Sequence, residues 1–196
     1  TISDPHTGDR LLGRSIGSTR RSMALREVLQ FPDPRLKRVS KPVDEITDAI
    51  RELARDMCDV MYDEPGIGLA APQVGEAIRL FVIDTDWTEE EGDRNPTVMI
   101  NPEFVRTEGK IIWEEGCLSV PDITAEVERA AEVTIKAIDL DGKEIIEECT
   151  GLRAVCMQHE YDHLDGKLFI DRISFLKRSR YIQKRKKQLS LDAEEP

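Results

Sequence analysis

His159-Glu160-Tyr161-Asp162-His163 constrains this chain more than any other stretch of it. Residues four apart on an α-helix stack on one face about 6 Å apart, close enough for two imidazoles to bind one ion. Glu160 lies one residue round from His159, where it reaches a water beside such an ion rather than the ion itself. Two helical histidines with that intervening glutamate are the pattern of metal-assisted hydrolysis, the glutamate acting as general base. Whatever the fold, it has to carry this helix with both imidazoles on one side.

The flanking residues agree. Leu152, Val155, Cys156, His159 and His163 fall at i, i+3, i+4, i+7 and i+11, a single helical stripe. Thr150 is expected to cap the start of the helix, and Gly166 to supply the left-handed residue after its end. The chain has three histidines, and two of them occupy this spacing, which favours a metal pair over two satisfied core residues.

A catalytic ion needs a third protein ligand, with a water completing the site. Continuing the pattern gives Gly166 and then Phe169, where a metzincin protease would place its third histidine; phenylalanine cannot ligate, and His6 lies far away in the N-terminal tail. The remaining candidates are a downstream carboxylate, Asp165 or Asp171, or a cysteine. Cys156 shares the histidine face but lies about 10 Å along the axis from His163, too far for its short side chain. Cys58 and Cys149 read as packing residues. Cys117 sits in Glu115-Gly116-Cys117-Leu118-Ser119-Val120-Pro121, where Gly116 permits an unusual backbone angle and Pro121 is expected to end any strand. A thiol at such a break can lie against a helix from elsewhere in the fold. The residues alone leave Cys117 and the carboxylates open.

Three segments then resemble one family. Gly66-Ile67-Gly68-Leu69-Ala70-Ala71-Pro72-Gln73, Glu115-Gly116-Cys117-Leu118-Ser119-Val120-Pro121 and Gln158-His159-Glu160-Tyr161-Asp162-His163-Leu164 are similar to the three motifs of peptide deformylases, in the same order, within a likeness running from about Met23 to about Lys187. The resemblance implies an enzyme that removes the formyl group from the N-terminal methionine of new polypeptides and releases formate. It implies Cys117, His159 and His163 as metal ligands and Glu160 as the catalytic acid/base. Gln73, through its side-chain amide, and Leu118, through its backbone N–H, would stabilise the oxyanion. Ile67, Gly68, Trp113, Val155 and Cys156 would bind the methionine end of the substrate, with Trp113 larger than the residue usual at its position. One divalent ion is expected per chain, Fe(II) first, with Zn, Ni or Co acceptable to the same donors.

Length and composition fit that reading. The 196 residues, 39% hydrophobic and 34% charged, suit one soluble domain with a real core. No run of 18 apolar residues exists, and four cysteines without framework spacing suit a reducing cytosol. Residues 1–22 read as a tail, with Met23 as the native start; a genuine leader there would make the protein organellar. The catalytic domain is expected over 23–171, followed by a basic helix and acidic end over 172–196. From Arg172 to Lys187 there are eight basic residues and no acid in a chain of net charge −11, a candidate contact for ribosomal RNA. A monomer with no membrane contact is expected.

The fold expected is α+β: mostly antiparallel strands packed around the C-terminal metal helix, with an amphipathic helix near the N-terminus. Ile46, Ile50, Leu53, Ala54, Met57, Val60 and Met61 form a 3.6-residue stripe, placing that helix over about Thr47 to Asp63, stopped by Pro65-Gly66. Leu80 to Ile83 reads as a buried strand, and Val98–Ile100, Phe104–Thr107 and Ile111–Glu114 as short ones, after an acidic loop from Thr88 to Asn95. Asp141-Gly142 marks a hairpin between Val133–Ala137 and Ile145–Cys149. Gly66-x-Gly68-x-x-Ala71 superficially matches a dinucleotide fingerprint, but it follows a helix and meets Pro72; its glycines read instead as places where backbone approaches a substrate chain. The rival readings are a zinc endopeptidase, which lacks its third ligand, and a metal-stabilised ribosome-binding protein, which has no use for Glu160.

Overall fold

The apolar stripe of the first helix is what organises the N-terminal half of the molecule. In the computed structural model, which describes residues 26–64, 66–88 and 93–192, helix α1 spans Asp48–Asp63. The Thr47 hydroxyl accepts from the Ile50 N–H and caps it. Leu53, Ala54, Met57, Val60 and Met61 face inward against Leu69, Leu80, Val82 and Ile100. Each of the larger side chains taken fully out of water stabilises the fold by about 1.5–3 kcal/mol. The tail over 1–22, Met23 and the middle of the acidic loop lie outside the described residues.

Strands β1 (Gly68–Ala70), β2 (Leu80–Ile83), β3 (Thr97–Glu108), β6 (Glu132–Ile138) and β7 (Glu144–Thr150) form one antiparallel sheet in the order β1-β2-β3-β6-β7. Strands β4 (Ile111–Cys117) and β5 (Val120–Arg129) form a separate antiparallel pair. The hairpin between β6 and β7 turns at Gly142, whose φ of 79° suits a glycine. Two strand expectations are corrected. The two short strands at 98–100 and 104–107 are one, because a register irregularity at Asn101 (φ 51°) absorbs Asn101-Pro102 without ending the ladder. Pro121 does not end a strand; it is the second residue of β5, where a missing N–H is tolerated near a strand end.

Helix α2 (Gly151–Leu164) carries the histidines across the five-stranded sheet. Thr150 stands at the N-cap, but its hydroxyl makes no capping hydrogen bond; Gly151, at φ 56°, makes the turn from strand into helix. Gly166 follows the helix at φ 68°, and a Cβ there would stand 2.5 Å from the Lys37 carbonyl oxygen, so both conformation and space require glycine. Helix α3 (Phe175–Asp192) closes the described chain, anchored by Tyr181, which packs beside Phe31. Among the described residues no helix is long and apolar enough to cross a membrane.

Candidate active site

A cavity of about 400 Å³ opens between β1, β4 and α2. Its wall includes Ile67, Gly68, Trp113, Val155 and Cys156, together with Gln73, Cys117, Leu118, His159 and Glu160. His163 stands behind it, with Cys117 Sγ 3.3 Å from its Nε2. Ligand atoms of Cys117, His159 and His163 all lie within 4.8 Å of one another. Both carboxylate alternatives are committed elsewhere: Asp165 pairs with Arg79, and Asp171 with Lys37 and Arg178. Phe169 is no ligand, but its ring stacks on His159 at 6.2 Å between centroids.

The chemistry of these donors fits a divalent cation. His159 Nδ1 is 2.8 Å from the Glu115 carboxylate, which orients the ring and leaves Nε2 for a ligand. Burial works against a charge on His159, yet the neighbouring Cys117 and Glu115 outweigh it and push its pKa well up. The space between thiol and imidazoles therefore favours positive charge. Burial and the nearby His159 push the pKa of His163 well down. One thiolate and two imidazoles suit a late first-row divalent ion with an open position.

Glu160 is 4% exposed, and its Oε2 has no hydrogen-bond partner among the described residues. Burial pushes its carboxyl up to about 7, poised to take and return a proton near neutral pH. Gly68 is what gives it room: a Cβ there would stand 2.6 Å from Glu160 Oε1 and 2.9 Å from Cys156 Sγ. The close approach that this glycine permits is thus to Glu160 itself. Cys156 takes no part in the cluster; its thiol leans 3.6 Å from the Ile67 carbonyl, and burial pushes its pKa well up. Gln73 is locked from both ends, its Oε1 accepting from the Ala70 N–H at 2.8 Å and its Nε2 donating to Ser119 Oγ at 3.1 Å. That holds Nε2 3.7 Å from Cys117 Sγ.

A buried ionic chain behind the histidines was not legible in the sequence. Arg129, on β5, makes paired hydrogen bonds of 2.7 and 2.9 Å to Glu115 and reaches across to Asp162, which also receives Arg172. Burial opposes the charge on Glu115, but hydrogen bonds from Arg129 and His159 outweigh it and hold the group below the usual carboxylate range. Asp162 is held low likewise, Arg172 and Arg129 overcoming its burial. Gln158 adds a second clasp, exchanging hydrogen bonds of 2.9 and 3.0 Å with the backbone of Ala130. The available signal was an acid two residues before Cys117 and another directly before His163.

Residues 25–179 match the Polypeptide deformylase family. A peptide deformylase of Hyphomonas neptunium is 54% identical over 167 residues, 84% of this chain and 94% of that protein. One of Hydrogenovibrio crunogenus is 50% identical over 167 residues, 85% of this chain and 96% of its own length. The crystal structure of a peptide deformylase from Legionella pneumophila superposes with a TM-score of 0.79 at 44% identity, covering 88% of this chain and all of that one (100%). A Synechococcus elongatus peptide deformylase in complex with actinonin gives 0.77 at 38% identity, covering 84% and 89%.

Proposed function

The chain belongs to the polypeptide deformylase family, and from that premise we propose a role for each residue of the cleft. The reaction is hydrolysis of the formyl group from the N-terminal formylmethionine of newly synthesised polypeptides, with release of formate. Cys117, His159 and His163 hold the divalent ion; the observation that carries this is the convergence of their ligand atoms within 4.8 Å beside a buried glutamate. When bound, such an ion supplies Lewis acidity, making water acidic enough to be deprotonated near neutral pH.

Glu160 accepts the proton of the water that attacks the formyl carbon, and later delivers it to the departing methionine amine as the C–N bond breaks. The Gln73 amide, immobilised by Ala70 and Ser119, and the Leu118 N–H face the oxygen on which negative charge develops. Because β1 is the outer strand of its sheet and β4 pairs only with β5 among the described strands, the cleft between them offers two open edges to an extended peptide. The methionine side chain, flexible and unbranched, fills the apolar wall of Ile67, Trp113, Val155 and Cys156.

Fe(II) is the ion we assign, following the resemblance. Metal analysis on anaerobically purified protein, beside formate release from formyl-Met-Ala-Ser, tests both ion and reaction; a metal-free protein or no formate would sink the reading. Docking on ribosomal RNA through α3 is proposed from a smaller set than the sequence count of eight basic residues. Arg172, Arg178 and Arg185 are engaged with Asp162, Asp171 and the Phe31 carbonyl, leaving Lys177, Arg180, Lys184, Lys186 and Lys187 for phosphates.

A further inference from the structure

A second depression, of about 620 Å³, lies between the segment from Arg26 to Arg35, the end of α1 and the last turns of α3. It adjoins the active-site cavity: Leu118 belongs to the walls of both, and Glu64 of the second stands two residues before Gly66 of the first. The two are also bonded together. Leu29 N–H donates to the Gln73 carbonyl at 2.7 Å, and Phe31 N–H to the Ser119 carbonyl at 2.8 Å. The wall of the groove is thereby registered on the residues that flank Cys117.

The charges in this groove are unequally satisfied. Arg26 is paired with Asp56 and Glu76, Arg35 with Asp33, and Arg185 donates to Phe31 O and Gln30 Oε1. Among the described residues no ion pair reaches the carboxylates of Glu27 or Glu64. An extended chain advances about 3.3 Å per residue, so a formylated peptide of more than a few residues outgrows a cavity of about 400 Å³.

We propose that this groove receives the substrate chain from about its fourth residue onward, and that Glu27 and Glu64 favour basic side chains there. The inference rests on the deformylase reading above and adds a specificity to it. Each exposed ion pair contributes modestly, so the preference is about 2- to 5-fold in kcat/KM and fades with added salt. The chain's own residues 1–25, which lead directly into Arg26, are the competing occupant.

The test uses the full chain with three substrates: formyl-Met-Ala-Ser, formyl-Met-Ala-Ser-Lys-Lys-Ser and formyl-Met-Ala-Ser-Glu-Glu-Ser. The lysine hexapeptide is expected to be turned over faster than the glutamate one. The double substitution Glu27→Lys, Glu64→Lys is expected to invert that ratio while leaving the tripeptide unchanged. A hexapeptide with benzoylphenylalanine at its fifth position is expected to label the segment from Arg26 to Arg35 or the end of α3. An unaltered ratio in the double variant, or labelling elsewhere, overturns the proposal. A groove filled by residues 1–25 would show no charge dependence at all, which also overturns it. Loss of tripeptide hydrolysis in the unmodified chain would instead strike the underlying deformylase reading.

Discussion

Helices α2 and α3 are both polar in sequence, and they treat their polar residues in opposite ways. Of the 14 residues of α2, nine are buried, among them His159, Glu160, Asp162 and His163. Along the 18 residues of α3 only Tyr181 is buried among the described side chains. A buried polar group has to find a partner, a proton or a metal, whereas an exposed one is satisfied by water. The charges of α2 are therefore fixed in position and shifted in pKa, which is what catalysis requires. On α3, among the described residues, only the cations Arg178 and Arg185 are tied to partners in the fold, and the remaining cations face water, where they act through binding rather than chemistry.

The sharpest way to break this contrast is to alter the buried groups. Glu160→Ala is expected to lower kcat/KM for formyl-Met-Ala-Ser by about 10²–10⁴ while the protein keeps its metal. Cys117→Ala, His159→Ala and His163→Ala should each lose the metal as well, as read by elemental analysis. A metal-free Glu160→Ala variant would show that the roles have been assigned wrongly.

Arg129→Met comes next. It leaves buried Glu115 with His159 alone and Asp162 with Arg172 alone, and breaking such a buried network from one side costs up to about 3–5 kcal/mol. Lys184→Ala on α3, by comparison, should stay within about 0.5 kcal/mol. Urea unfolding of the two variants compares them directly, and equal midpoints would dissolve the distinction between the helices.

The same buried acids set an acid limit. Glu115 and Asp162 have folded pKa values below their unfolded ones, so the stability they contribute is fully present above the ordinary carboxylate range, about pH 4. It is lost as pH falls through the lower folded values. Between pH 6 and pH 2 the urea midpoint of the native protein should fall more steeply than that of Asp162→Asn, which has less stability of this kind to lose. Parallel curves would mean that Asp162 is not held low.

A smaller effect is expected at Trp113, which faces the apolar side of α2 across the cavity. Trp113→Ala should change the preference among formylated Met, Leu and norleucine, by the 1–3 kcal/mol that roughly one methylene is worth in a pocket, and leave metal content alone. Unchanged selectivity would remove Trp113 from the methionine pocket. Smallest of all is the effect of replacing Lys177, Lys184, Lys186 and Lys187 by serine. Tripeptide hydrolysis should hold, and only the salt-sensitive part of ribosome co-sedimentation should fall. Equal sedimentation at low salt would make α3 a solvated helix without an RNA role.

What could be read directly from the chain was whatever repeats with a local period. The stripe of α1, the run from Leu80 to Ile83, the turn at Asp141-Gly142 and the spacing of His159 and His163 are each dictated by neighbours within a few residues. Strand β5 escaped because Pro121 interrupts its start and because one of its inward positions is Arg129, a residue whose burial makes sense only beside Glu115 and Asp162. Thr150 does stand at the N-cap as its sequence position suggests, but it is also the last paired residue of β7, and its hydroxyl makes no capping bond.

The sequence by itself determined that two imidazoles and a carboxylate would share one helix, since helical geometry leaves no other outcome for that spacing. It could not decide from spacing alone between Cys117 and the carboxylates as the third member of the cluster, because 41 residues of strand, hairpin and helix separate Cys117 from His159 and their path depends on every sheet contact between. Only the tertiary structure brought β4 against α2, and it did so by burying Glu115, Arg129 and Asp162 as one mutually satisfied set. Charges taken out of water must meet their partners, so the place where Cys117, His159 and His163 converge is also the place where the buried ions agree.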